Sequence, residues 1–168
     1  YFSGNSFRKA DGTLAEGNVQ IELIEIFDKG SMLVTDMPSL GQLPDGQLSQ
    51  LISGGEHYVA AFQDGEELRL DGSFTLMAPS ENTGGPDTEM TLFRAEVSEG
   101  VPAGKDDQAV WVEEDVERGG FGIGDADGGF AGASTMYWAV SSQFGWTNID
   151  RWYSDPRPKT TIHVGVPD

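Results

Sequence analysis

Apolar and polar residues alternate along most of this chain with a period of two. The clearest run is Val19-Gln20-Ile21-Glu22-Leu23-Ile24-Glu25-Ile26-Phe27. Apolar side chains fall at 19, 21 and 23, then the phase slips at Leu23-Ile24 and continues through Ile26. Such alternation buries one face of a strand and wets the other, and a slip within it predicts a β-bulge or a twist between two packing surfaces. The same pattern predicts strands at Met32–Val34, Leu48–Ile52, His57–Phe62, Leu68–Leu70, Phe74–Met77, Met90–Val97, Trp111-Val112, Met136–Val140 and Thr160–Val166. Helical periodicity is almost absent.

Turn chemistry separates these runs. Five Asp-Gly pairs, at 11–12, 45–46, 64–65, 71–72 and 127–128, supply the positive φ that tight hairpins need. Gln63-Asp64-Gly65-Glu66 has the spacing of a hairpin turn. Residues 119–132 contain seven glycines in fourteen positions and read as a long loop with interspersed apolar residues. The segment Phe144–Tyr153 is rich in aromatics and is expected to pack around a corner. Short strands between regular turns predict an all-β fold, an antiparallel β-sandwich with a long Gly-rich loop and an irregular C-terminal part from about residue 115. Residues 1–168 are expected to form one domain.

Composition narrows the class of partner. With 28 acidic against 10 basic residues, the formal charge is −18, which repels nucleic acid and anionic lipid. The same charge suits a solvated surface, adaptation to salt, or cation binding. There is no Cys, so disulfides, thiolate zinc sites and Cys nucleophiles are excluded. No apolar run approaches the roughly 18 residues that cross a membrane as a helix, so membrane insertion is not expected. The first residue is Tyr1 rather than Met, which suggests a processed chain or a piece of a longer one.

The run Gly17–Ile26, followed by Met32-Leu33, Met37-Pro38-Ser39, Leu51–Glu56 and Ala61–Leu68, resembles the opening of ZU5-like β-sandwich modules. Met90–Phe93 and Phe144–Trp152 are similar to later segments of the same proteins. The likeness covers about residues 12 to 155, and the Gly-rich insert at 119–132 departs from it. It implies a folded extracellular module of large surface or secreted proteins of Gram-negative bacteria, and it implies no enzyme activity.

Few constellations carry chemistry. The two histidines, His57 and His163, fall in predicted strands, and no Gly-x-Ser-x-Gly accompanies them. With so many carboxylates, some pair meets a glycosidase spacing by chance, so that signal decides nothing. Gly122-Ile123-Gly124 lacks the third glycine of a dinucleotide loop and the Lys of a phosphate loop. Gly124-Asp125-Ala126-Asp127-Gly128-Gly129 places two carboxylates two residues apart on a flexible loop, a candidate calcium site at Asp125 and Asp127. Asp106-Asp107 or Glu113-Glu114-Asp115 would complete its shell; the competing reading is a plain polar turn. Trp138, Phe144, Trp146, Trp152 and Tyr153 are either core or, if exposed, a glycan-stacking platform, for which Trp146, Trp152 and Tyr153 are the candidates. Asp150 and Arg151 are expected to pair locally or to tie neighbouring loops.

The functional expectation is a non-enzymatic, secreted or cell-surface structural or adhesion module. It would assemble with itself or meet a surface partner, with calcium as the candidate cofactor. A carbohydrate-binding module is the alternative.

Overall fold

Hydrogen bonding closes five of the strands into a ring. The computed structural model describes residues 1–35, 37, 39–115, 120–125 and 135–154. Along the chain run β1 (Phe7–Arg8), β2 (Gln20–Ile26), α1 (Lys29–Val34), β3 (Leu40–Gln42) and β4 (Leu48–Gln63). Then come β5 (Glu66–Glu67), β6 (Arg69–Leu70), β7 (Phe74–Pro79), a 3₁₀ turn (Ser80–Thr83), β8 (Thr91–Ser98) and β9 (Val101–Pro102). The last four strands are β10 (Val110–Glu113), β11 (Phe121–Asp125), β12 (Thr135–Ser141) and β13 (Gly145–Trp152).

The order β10-β3-β4-β13-β8 returns to β10, because β10 pairs with β3 on one edge and β8 on the other. The fold is therefore all-β, as the alternation predicts. The expected sandwich gives way to a closed five-stranded barrel with a separate three-stranded sheet, β11-β12-β7. Closure removes open edges from the ring, and a barrel this small is filled by side chains. Its interior holds Leu51, Tyr58, Ala60, Phe93, Ala95, Trp111 and Trp146. The three-stranded sheet covers the outside: Phe74, Leu76 and Ala139 meet Val59 and Leu92, while Ala78 and Tyr137 meet Ile149.

Several expectations need correction. The run 119–132, expected as a long Gly-rich loop, is in part a strand: Phe121–Asp125 form β11 against β12, and glycine at 122 makes room for the Trp138 ring, with which a Cβ there would clash. Residues 145–152 do not turn a corner; they form β13, paired with β4 on one edge and β8 on the other as a wall of the barrel, within what was expected to be an irregular C-terminal part. Met32–Val34 lies in a short helix, since the Asp28 carboxylate accepts from the Ser31 N–H at 2.9 Å and caps its start. The phase slip in β2 is not a bulge, because its register with β4 is unbroken from Gln20↔Phe62 to Ile26↔Glu56. Instead Ile24 and Ile26 face the core while Ile21 and Leu23 face outward and stay exposed. The Asp64-Gly65 hairpin is as predicted, with φ of 55° and 84° at its two central residues. The predicted strand Thr160–Val166, His163 and Asp127 lie outside the described residues.

Candidate functional site

The true bulge is in β4, and it builds a buried polar cluster. Asn148 pairs with Glu56, but Asp150 pairs with Ser53, so β4 spends one residue more than β13 between them. Gly54-Gly55 absorbs the excess, with Gly55 at φ 141°. A side chain at 55 would put its Cβ 2.6 Å from the Phe27 ring, so glycine is needed twice over. The consequence is that Ser53 and Glu56, three residues apart, both face the barrel interior. Opposite them, Asn148 and Asp150 face inward from β13.

Glu56, Asn148 and Asp150 are fully buried. The Ser53 hydroxyl donates to Asn148 Oδ1 at 2.9 Å, and Asn148 Nδ2 donates to Asp150 Oδ2 at 2.7 Å. Among the described residues no donor reaches Glu56 Oε1, Glu56 Oε2 or Asp150 Oδ1. Burial pushes the Glu56 carboxyl up to about 8. Asp150 is also raised well above its ordinary value, by burial first and by the nearby Glu56 charge, while Ser53 and the Gly54 amide pull the other way. Sealed from solvent, the cluster can hold a proton or a cation, but no exposed face offers it to a larger substrate.

His57 points to the opposite face of β4, fully buried against Phe27 at 5.5 Å between ring centres. Burial lowers its pKa to about 4, and Glu25 Oε1 stands 3.9 Å from Nε2. Further along the ring, Arg94 Nη2 meets Glu96 Oε1 at 2.6 Å and Nη1 meets Glu114 Oε1 at 3.0 Å.

The residues singled out by sequence scatter. Asp125 ends β11 opposite Thr135, and its companion Asp127 lies outside the described residues. Of the carboxylates proposed to complete that shell, Asp107 accepts from the Gly104 N–H, Glu113 from Trp152 and Glu114 from Arg94. Trp146 is buried against Tyr58, its indole N–H donating to the Lys105 carbonyl at 3.2 Å, so it offers no ring face to a sugar. Trp152 and Tyr153 are half-buried; Trp152 packs on Phe93 and donates to Glu113 Oε2 at 2.7 Å. Trp152 borders a groove of about 590 Å³ together with Gln42, Asp45, Glu99 and Glu113. Asp150 does not pair with Arg151; Arg151 instead binds Asp87 at 2.8 Å, tying down a neighbouring loop.

Sequence reasoning missed Glu56 and Asn148 because charged and amide side chains in a strand are assigned to the wet face. The paired glycines at 54–55, inside an otherwise continuous strand, were the available signal.

The chain matches no family model, no curated protein and no solved structure.

Proposed function

We propose that this chain is a non-enzymatic structural module of a secreted or cell-surface protein, and that it assembles with a second copy by strand addition at β2. The carrying observation is the outer edge of β2. Among the described residues β2 pairs only with β4, and its outward face carries Ile21, 39% exposed, and Leu23, 52% exposed. Phe27 extends the apolar stripe at 42% exposure. An unpaired edge strand with exposed apolar side chains is a template for another strand. The likeness to ZU5-like surface modules accords with this reading.

The sequence of β2 suits pairing with itself. In an antiparallel pair centred on Leu23, Ile21 falls opposite Glu25, Glu22 opposite Ile24, and Gln20 opposite Ile26. No carboxylate faces another across the seam, whereas like charges directly opposed would destabilise it. The charge of −18 on each copy works against association at low salt, so screening strengthens the dimer. Analytical ultracentrifugation over a concentration series, at low and high salt, tests this. The expected result is a salt-strengthened dimer that Leu23→Lys abolishes by placing two ammonium groups face to face, with the melting temperature little changed. A monomer at every concentration and salt level refutes it.

A second reading, carbohydrate binding, is favoured by the Trp152 groove, where Trp152 lines the wall together with the hydrogen-bonding side chains of Gln42, Asp45, Glu99 and Glu113. Glycan retention that Trp152→Phe weakens, at unchanged melting temperature, would support it.

A further inference from the structure

We propose that the barrel interior holds one calcium ion between β4 and β13, liganded by Glu56 and Asp150 with Asn148 and Ser53 completing the shell. The four side chains bring six oxygens to one inward face: two from Glu56, two from Asp150, Asn148 Oδ1 and Ser53 Oγ. Three of these, Glu56 Oε1, Glu56 Oε2 and Asp150 Oδ1, are buried and take no hydrogen bond among the described residues. Buried polar atoms nearly always find a partner, so three orphaned carboxylate oxygens in one cluster point to a ligand that supplies positive charge.

The chemistry selects the ion. The donors are all hard oxygens, since His57 faces the opposite side of β4. Two carboxylates match one divalent charge. Calcium takes six to eight oxygens in loose geometry, whereas magnesium keeps several waters and strips them reluctantly, which a sealed interior disfavours. Among the described residues no three His, Cys, Asp or Glu side chains converge as a metal group, so neutral oxygens make up the count here. Asn148 is already oriented for this role: its amide nitrogen is committed to Asp150 Oδ2, which turns its carbonyl oxygen toward Ser53. The site is independent of the calcium site suggested by sequence at Asp125 and Asp127, and of the β2 edge.

The test is a set of thermal melts of the EDTA-stripped chain, with calcium chloride, magnesium chloride or EDTA at fixed ionic strength. At a hundredfold excess over Kd, calcium should raise the melting temperature by about 5–10 °C, and magnesium should do so far less. The isosteric pair Glu56→Gln with Asp150→Asn should abolish the response. Coincident wild-type melts would overturn the proposal, as would a calcium shift that survives in the double variant. Should that variant not fold, terbium decides on the wild type. Trp146 lies two residues from Asn148 on the same inward face, so excitation of indole should sensitise bound terbium, and calcium should quench the emission by displacement. No calcium-competed emission means no interior site.

Discussion

Replacing Arg94 by Met should destabilise the barrel by an amount that depends on pH. Arg94 grips Glu96 through Nη2 at 2.6 Å and Nε at 3.2 Å, and Glu114 through Nη1 at 3.0 Å. Glu96 is nearly buried, with a side chain 6% exposed, while Arg94 is 27% exposed. Burial alone would raise the Glu96 carboxyl, yet it is held below its ordinary 4.5 because Arg94 and the Gly100 N–H together outweigh burial. Met keeps the aliphatic stem, so the loss is electrostatic. Breaking a fully buried pair costs about 3–5 kcal/mol and an exposed pair at most about 1, so this intermediate pair should cost about 2 kcal/mol. Proton linkage sets the direction of the pH effect. A carboxyl with a depressed folded pKa stabilises above its unfolded value and loses that contribution as pH falls through the folded one. Urea denaturation at about pH 7 and about pH 3 should therefore show a large gap between wild type and variant at neutral pH that narrows in acid. An equal loss at both would mean that Arg94 acts by packing. No loss at neutral pH would mean that Glu96 does not depend on it.

Trp146→Ala should cost about 3–5 kcal/mol by calorimetry, since it empties the space beside Tyr58 and strands the Lys105 carbonyl. Gly55→Ala and Gly65→Ala both install a methyl at positive φ, but only the first meets a ring at 2.6 Å; Gly65 has nothing within 4 Å. Gly65→Ala should cost about 1 kcal/mol and Gly55→Ala clearly more, compared by denaturant midpoint. His57, lowered from 6.5 to about 4, should withdraw stability as pH falls between those values, and His57→Gln should flatten that limb of the pH–stability curve.

Much of the architecture was legible because local chemistry agreed with the fold. Asp64-Gly65 announced a hairpin with both central φ positive, and alternation located β7, β8 and β12 closely, while β4 read as two strands, 48–52 and 57–62, because Gly54-Gly55 interrupts a run that the structure carries through as one. Three readings failed for identifiable reasons. Met32-Leu33-Val34 reads as a strand by side chain, but the Asp28 cap four residues before Met32 commits the backbone to a helix. β13 read as a corner because its inward positions carry Trp146, Asn148, Asp150 and Trp152, a mixture that matches neither a wet nor an apolar face. The slip in β2 reads as a bulge or as a twist between two packing surfaces; the unbroken register excludes the bulge, and the slip marks an outward face that is apolar and exposed. Ring closure itself rests on a short parallel pairing, Trp111↔Gly41 and Val112↔Gln42, whose partners are far apart in sequence. No local pattern encodes that contact.

β4 concentrates these departures, and its burial gives the cluster a pH dependence that a bound cation would reverse. Residues 54–61 are buried on both faces, so a carboxylate at 56 has no wet side to turn to. An ionised Glu56 without a partner is the state that the interior penalises most. Two others avoid the penalty: a protonated carboxyl, or a carboxylate neutralised by a cation. They respond oppositely to alkali. In the stripped protein the folded carboxyl titrates near 8 and the unfolded one near 4.5, so stability falls as pH rises between those values, by at most about 5 kcal/mol. With calcium bound, the carboxylate is the favoured form, and the same rise in pH strengthens binding because no proton competes. Chemical denaturation from about pH 5 to 9, with calcium and with EDTA, should give curves that diverge as pH rises. Curves that fall in parallel would leave the proton as the only occupant of the cluster.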